Sequence, residues 1–220
     1  MAFDPTDQWA RITIKESLVG RSAGGSAKEQ ARELRQDDPV RSLAARLLGV
    51  HTDERAWRVG ARGERATARW LRRLPNGWHV FNDVPVGERG ANIDHVVVGP
   101  AGVFTVNAKN LSGKVWVGSR ALLHNGDKTS YLPKAVAEAK RAAGLLSSAV
   151  GRSVNVQPIL AILADEWTIK QRPTDVFVGS PRSVTKWLQA QPARLSSAEV
   201  VAIGSAASKP ATWVAPKRSS

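Results

Sequence analysis

A mixed α/β domain is the fold class this sequence predicts, on three observations. From residue 53 onward, helical patterns alternate with strand-like runs instead of falling into separate blocks. The run VQPILAILA at 156–164 is apolar without alternation, the pattern of a strand covered on both faces. The stretch ANIDHVVVGPAGVFTVNAKN at 91–110 sets two apolar runs around a Gly-Pro-Ala-Gly turn and reads as an antiparallel hairpin. A covered strand together with a hairpin calls for a mixed sheet.

Residues 1–50 read as a separate N-terminal helical arm, mobile or loosely packed. VGRSAGGSA at 19–27 is a Gly/Ser-rich spacer, and KEQARELRQ and PVRSLAARLL are short helical patterns split by Asp37-Asp38-Pro39. Residues 51–213 form the α/β domain, and 214–220 a basic tail. The long helix is expected over 53–74, with Asp53 as N-cap and a stop before Pro75-Asn76-Gly77. Strands follow at 78–84, 93–98, 103–109 and 114–118. The next helix covers 133–150, with Pro133 suited to its first turn. Strands at 156–164 and 175–179 and short helices at 183–190 and 196–207 complete the order.

Composition narrows the function classes. With 220 residues and 42% hydrophobic content the chain buries a sizeable core. It has no cysteine, which excludes disulfides and thiolate metal sites. No apolar run approaches the roughly 18 residues of a membrane span, and MAFDPTDQW lacks a secretory core, so a cytoplasmic protein is the default expectation. Lys and Arg number 32 against 19 Asp and Glu, a net charge of +13. Such an excess favours a polyanionic partner, nucleic acid before a lipid surface, over a merely solvated basic exterior.

The charged residues fall in a pattern. If Val98 pairs with Val103 across the turn, Val96 lies opposite Thr105 and Asp94 opposite Asn107, and directly opposite residues share a face. Lys109, two residues on, shares it too. Asp94, Asn107 and Lys109 therefore converge at one end of the hairpin, either as an acid–lysine pair at a sheet end or as a site. On the long helix Arg55, Arg58, Arg62, Arg65, Arg69 and Arg72 recur at steps of three and four and make one basic stripe. That stripe is either a solvated face or a set of phosphate contacts. Glu64 falls on the opposite, apolar arc with Gly60, Thr67, Ala68 and Leu71. A carboxylate there needs a cationic partner or a use for its charge. Two acids, an amide and a lysine together suit a hard divalent ion such as Mg²⁺ and phosphodiester chemistry.

GARGERATARWL at 60–71, followed by ANIDHVVVGPAGVFTVNAKNLSGKV at 91–115, resembles the nuclease-related domain, NERD, of the PD-(D/E)XK restriction-endonuclease-like superfamily. The similarity extends over 58–150. It implies an αβββαβ core in which a helix glutamate, a strand aspartate and an (Asp/Glu)-x-Lys motif bind Mg²⁺ or Mn²⁺ and hydrolyse nucleic acid, DNA before RNA. Glu64 matches the helix acid, Asp94 the strand acid and Lys109 the lysine. The acid expected two residues before the lysine is Asn107, whose neutral oxygen removes one negative charge from the metal site. Metal ligation by Glu64, Asp94 and Asn107 is the expectation, with Glu88 or Asp83 as distant helpers. The alternative is a nucleic-acid-binding module that kept the fold and lost catalysis.

Other residues weigh less. His95 alternates away from Asp94 and is expected to be packed rather than catalytic, and His51, His79 and His124 share no metal-like spacing. Lys134, Glu138 and Arg141 lie along one side of the 133–150 helix, and spacing does not choose among them. Of the eight tryptophans, Trp57, Trp70 and Trp187 sit in helical apolar patterns and read as core.

Overall fold

The computed structural model describes residues 17–23, 51–87 and 91–214, with side chains of the first helix described from residue 60 onward. The helical patterns expected within 28–48, Glu88, the tail from 215 and the side chains of His51, Arg55, Trp57 and Arg58 lie outside the described residues. In chain order the elements are α1 (His51–Leu71), β1 (His79–Val86), β2 (Ala91–Gly99), β3 (Gly102–Val117), β4 (Leu122–His124), β5 (Asp127–Lys128), α2 (Tyr131–Val150), β6 (Val156–Ile169), β7 (Phe177–Gly179), α3 (Pro181–Ala190) and α4 (Ser197–Ala207), then a 3-10 turn (Pro210–Trp213).

Among the described residues seven strands form one mixed sheet: β1, β2 and β3 are successive antiparallel neighbours, and β3 also pairs in parallel with β6, which pairs in parallel with β7. The α/β class and mixed sheet predicted above are what the structure has. Helices cover both faces. Ala139, Ala142 and Leu146 of α2, Ile203 of α4 and Trp213 pack on Phe81, Val96, Val98 and Val103. On the other face Leu71 of α1 and Val184 and Leu188 of α3 pack on Val97, Phe104, Val106 and Ile159.

Several boundaries differ from the sequence expectation. Helix α1 ends at Leu71 rather than 74, because Arg73 N–H and Leu74 N–H bond the carbonyls of Trp70 and Leu71, three residues back, as the chain tightens before Pro75. The strands expected at 103–109 and 114–118 are one strand, β3, which follows β6 throughout; a register shift between Leu111 and Lys114 absorbs the irregularity, with Gly113 at φ 86°. The short β4–β5 hairpin was not expected, although Asn125-Gly126 is its turn, with φ of 53° and 93°. Residues 17–23, assigned to the arm, lie against the domain: Leu18 is 2% exposed in the α2-side core, and its N–H donates to the Ser208 carbonyl.

Candidate functional site

Helix α1 places the arginines and Glu64 on opposite sides, as its period requires. Arg62, Arg65 and Arg69 are exposed, as is Arg72 just past the helix end, while Ala61, Gly63, Thr67, Ala68 and Leu71 are buried. Glu64, half-buried, falls near the middle of that buried arc and so turns toward the sheet. The helix can approach β3 closely because residue 63 is glycine: a Cβ there would stand 3.1 Å from Asn110 Cβ and 3.3 Å from the Lys109 carbonyl carbon. Glu64 is therefore carried over the Lys109–Asn110 level of β3.

Strands β2 and β3 hold the predicted register, Val98 with Val103 and Val96 with Thr105, but the ladder ends at His95 with Val106. Asp94 and Asn107, next in line, are not paired. The two-residue alternation breaks there, since Ile93 and Val96, three apart, share one apolar cluster, as do Phe81 and Val84 on β1. Between the latter pair Asp83 adopts φ 53°, in the left-handed region. The outcome is a split in the sheet. On the edge of β3 away from β6, β2 ends its pairing at Val106 and β4 begins at Val115, so among the described residues no strand pairs with 107–114 on that side. Into this gap Asp94 directs its carboxylate, and Oδ2 accepts the Ala108 N–H at 2.7 Å.

Around the split stand four polar side chains. Asn107 Nδ2 donates to Glu138 Oε2 at 3.3 Å, bringing α2 into the group. Lys109 Nζ donates to the Ala108 carbonyl at 3.3 Å and lies 5.6 Å from the centre of the Tyr131 ring. Burial pushes the Asp94 carboxyl up against the pull of Lys109 and the Ala108 N–H. Glu138 is pushed up to about 7, by burial first and the Asp94 charge second, while the Asn107 amide and Lys109 act the other way. Asn107 Oδ1 and Glu138 Oε1 are buried without a hydrogen-bond partner.

The structure thus gathers Asp94, Asn107 and Lys109 with Glu138 of α2, while Glu64 faces the Lys109–Asn110 stretch of β3 from α1, on the opposite face of the sheet from α2. The residue that sequence reasoning did not single out is Glu138. Its signal was available: three residues after Ala135 and four before Ala142, it borders the buried arc of α2, whereas Lys134 and Arg141 are exposed. Asp83 is 5% exposed beside β2, its carboxylate accepting from Asn92 Nδ2 at 2.9 Å and Arg21 Nη2 at 3.3 Å, and its charge reaches both Asp94 and His95. His95 is packed, as expected: fully buried on the α1 face, it pairs with Asn82 Oδ1 at 2.9 Å, and burial holds its imidazole down at about 3. Trp187 and Trp70 are both half-buried: Trp187 packs against the core, stacked on Phe177 with ring centres 4.3 Å apart, and Trp70 carries the Arg73 guanidinium 4.0 Å from its ring centre.

Residues 59–163 match the family model of the nuclease-related domain, NERD. The matched segment runs from α1 into β6 and holds every residue just described at the split. Placement in the PD-(D/E)XK superfamily is consistent with that family. The match implies a nuclease-related function and suggests interaction with nucleic acid. No curated protein and no solved structure gives a significant match to the chain. No helix among the described residues is long and apolar enough to cross a membrane.

Proposed function

We propose that this chain is a divalent-metal-dependent nuclease-like domain that hydrolyses phosphodiester bonds of nucleic acid. One observation carries the reading: at the split between β2 and β3, inside the matched segment, carboxylate, amide and lysine groups converge around buried oxygens that lack hydrogen-bond partners. The preference for DNA rests on the family resemblance alone.

The donor chemistry fits a hard cation. Every available ligand atom is oxygen, and two of them, Asn107 Oδ1 and Glu138 Oε1, are left unpartnered at an energetic cost that protein contacts do not offset. Among the described residues no three Asp, Glu or His side chains are placed to share an ion, so an amide oxygen has to contribute. Asp94 and Asn107 would hold Mg²⁺ or Mn²⁺, and Glu64 would have to reach the ion through the split, because α1 packs on the opposite face of the sheet from α2. When bound, such an ion polarises the phosphate and lowers the pKa of a coordinated water.

The chain's own groups do the rest. Asp94 is fixed in orientation by the Ala108 N–H, which bonds its Oδ2. Lys109, the one lysine in this group, stabilises the negative charge that grows on the phosphate during attack. The exposed Arg62, Arg65, Arg69 and Arg72 bind backbone phosphates on either side of the scissile bond, a contact that needs charge but no base recognition.

Asn107 favours a second reading. With the strand acid replaced by an amide already bonded to Glu138, the domain would bind nucleic acid without cutting it. Digestion of plasmid and single-stranded DNA with Mg²⁺ or Mn²⁺ separates the two. Metal-dependent cleavage abolished by Asp94→Ala and by Lys109→Ala supports the nuclease; cleavage surviving both substitutions refutes the site. Salt-sensitive binding with no cleavage supports the module.

A further inference from the structure

We infer that Glu138, on helix α2, supplies the carboxylate that strand β3 lacks at Asn107, so that the cation site is completed across the sheet–helix interface. This rests on the metal-dependent reading above. Glu138 borders a helix face of small buried residues, Ala135, Ala139 and Ala142, where an uncharged side chain would pack at less cost. It instead brings a carboxylate to within 3.3 Å of the Asn107 amide and into the field of Asp94, a like charge. A purely structural role explains that placement poorly, because one carboxylate oxygen has no partner and the nearest acid repels it.

Charge counting points the same way. On this side of the sheet Asp94 and Lys109 offset each other, and Glu138 is the further carboxylate beside them that can give the group a net negative charge. The amide contact also fixes the geometry. With Nδ2 of Asn107 held by Oε2 of Glu138, the remaining oxygens, Oδ1 and Oε1, are the two that lack partners. The acid has in effect moved from the strand to the facing helix, and the strand amide now orients it.

The test is Mn²⁺ binding by the full chain, followed by calorimetry and by the loss of the free-ion paramagnetic resonance signal. Circular dichroism melts on the same samples show that each variant is folded. Glu138→Gln is nearly isosteric and is expected to weaken Mn²⁺ binding at least about 10-fold, the loss that follows removal of a charged ligand. Adding Asn107→Asp to Glu138→Gln, which returns a carboxylate to the strand, is expected to recover most of it. If Glu138→Gln binds Mn²⁺ as the unaltered chain does while Asp94→Asn does not, Glu138 has no part in a site that nonetheless exists. If the unaltered chain takes up no Mn²⁺, or if Asp94→Asn changes nothing, the metal reading fails and this inference with it.

Discussion

Replacing Glu138 by Gln should change how stability depends on pH, and the size of the change follows from where the carboxylate sits. Its pKa is raised from 4.5 to about 7, by burial first and the Asp94 charge second. The native state therefore holds this proton more tightly than the unfolded chain. Below the unfolded pKa both states carry it, and the group costs nothing. Stability is lost as pH rises from 4.5 through about 7, and the penalty is complete above that. At about 1.4 kcal/mol per pKa unit, a shift of this size is worth roughly 3 kcal/mol. Glutamine keeps an oxygen for the Asn107 amide and carries no charge, so the variant escapes the penalty. Urea unfolding of both proteins in metal-free buffer from about pH 4 to about pH 8.5 measures the difference. The variant is expected to match the unaltered chain at the acid end and to exceed it by roughly 3 kcal/mol at the alkaline end. A gap that stays constant across that window would show that Glu138 is not buried beside Asp94.

Three further outcomes are expected. Leu18→Ala should destabilise the domain by about 2–5 kcal/mol in the same unfolding assay, because it empties a core position; a loss under about 0.5 kcal/mol would mean that residues 17–23 do not pack there. Gly63→Leu should cost about 1–3 kcal/mol by forcing α1 away from the Lys109–Asn110 backbone, and the same melts check it. Replacing Arg65, Arg69 and Arg72 by Ala should weaken binding to duplex DNA evenly across sequences, and reduce the slope of log affinity against log salt by about 2–3 units. An unchanged slope, read from fluorescence anisotropy titrations, would remove the stripe from the interface.

Much of the site was legible because its parts obey short-range rules. A period of two placed Val96 opposite Thr105 and Val98 opposite Val103, and those pairs form. A period near 3.6 put Arg62, Arg65, Arg69 and Arg72 in solvent and turned Glu64 to the sheet, which the structure repeats. His95 fell on the face away from Asp94 by the same period of two, and it is buried there. What counting missed was the break at Asp94: the ladder stops one pair early, and the carboxylate bonds the Ala108 N–H instead of standing across from Asn107. The turn at Asp83 that accompanies this break involves a left-handed residue and two neighbouring strands, and no single-strand pattern records it.

The amino-acid order by itself determined the local faces of helix and strand, the basic stripe, and the shared face of Asn107 and Lys109 on β3, since each depends on side-chain direction repeating within one element. Tertiary structure alone decided that β3 runs on unbroken beside β6, that Leu18 plugs the core, and that α2 lies on the face where Glu138 meets Asn107. Those facts join residues dozens of positions apart, and their energies come from burial and charge pairing across elements. A one-dimensional period carries no term for either.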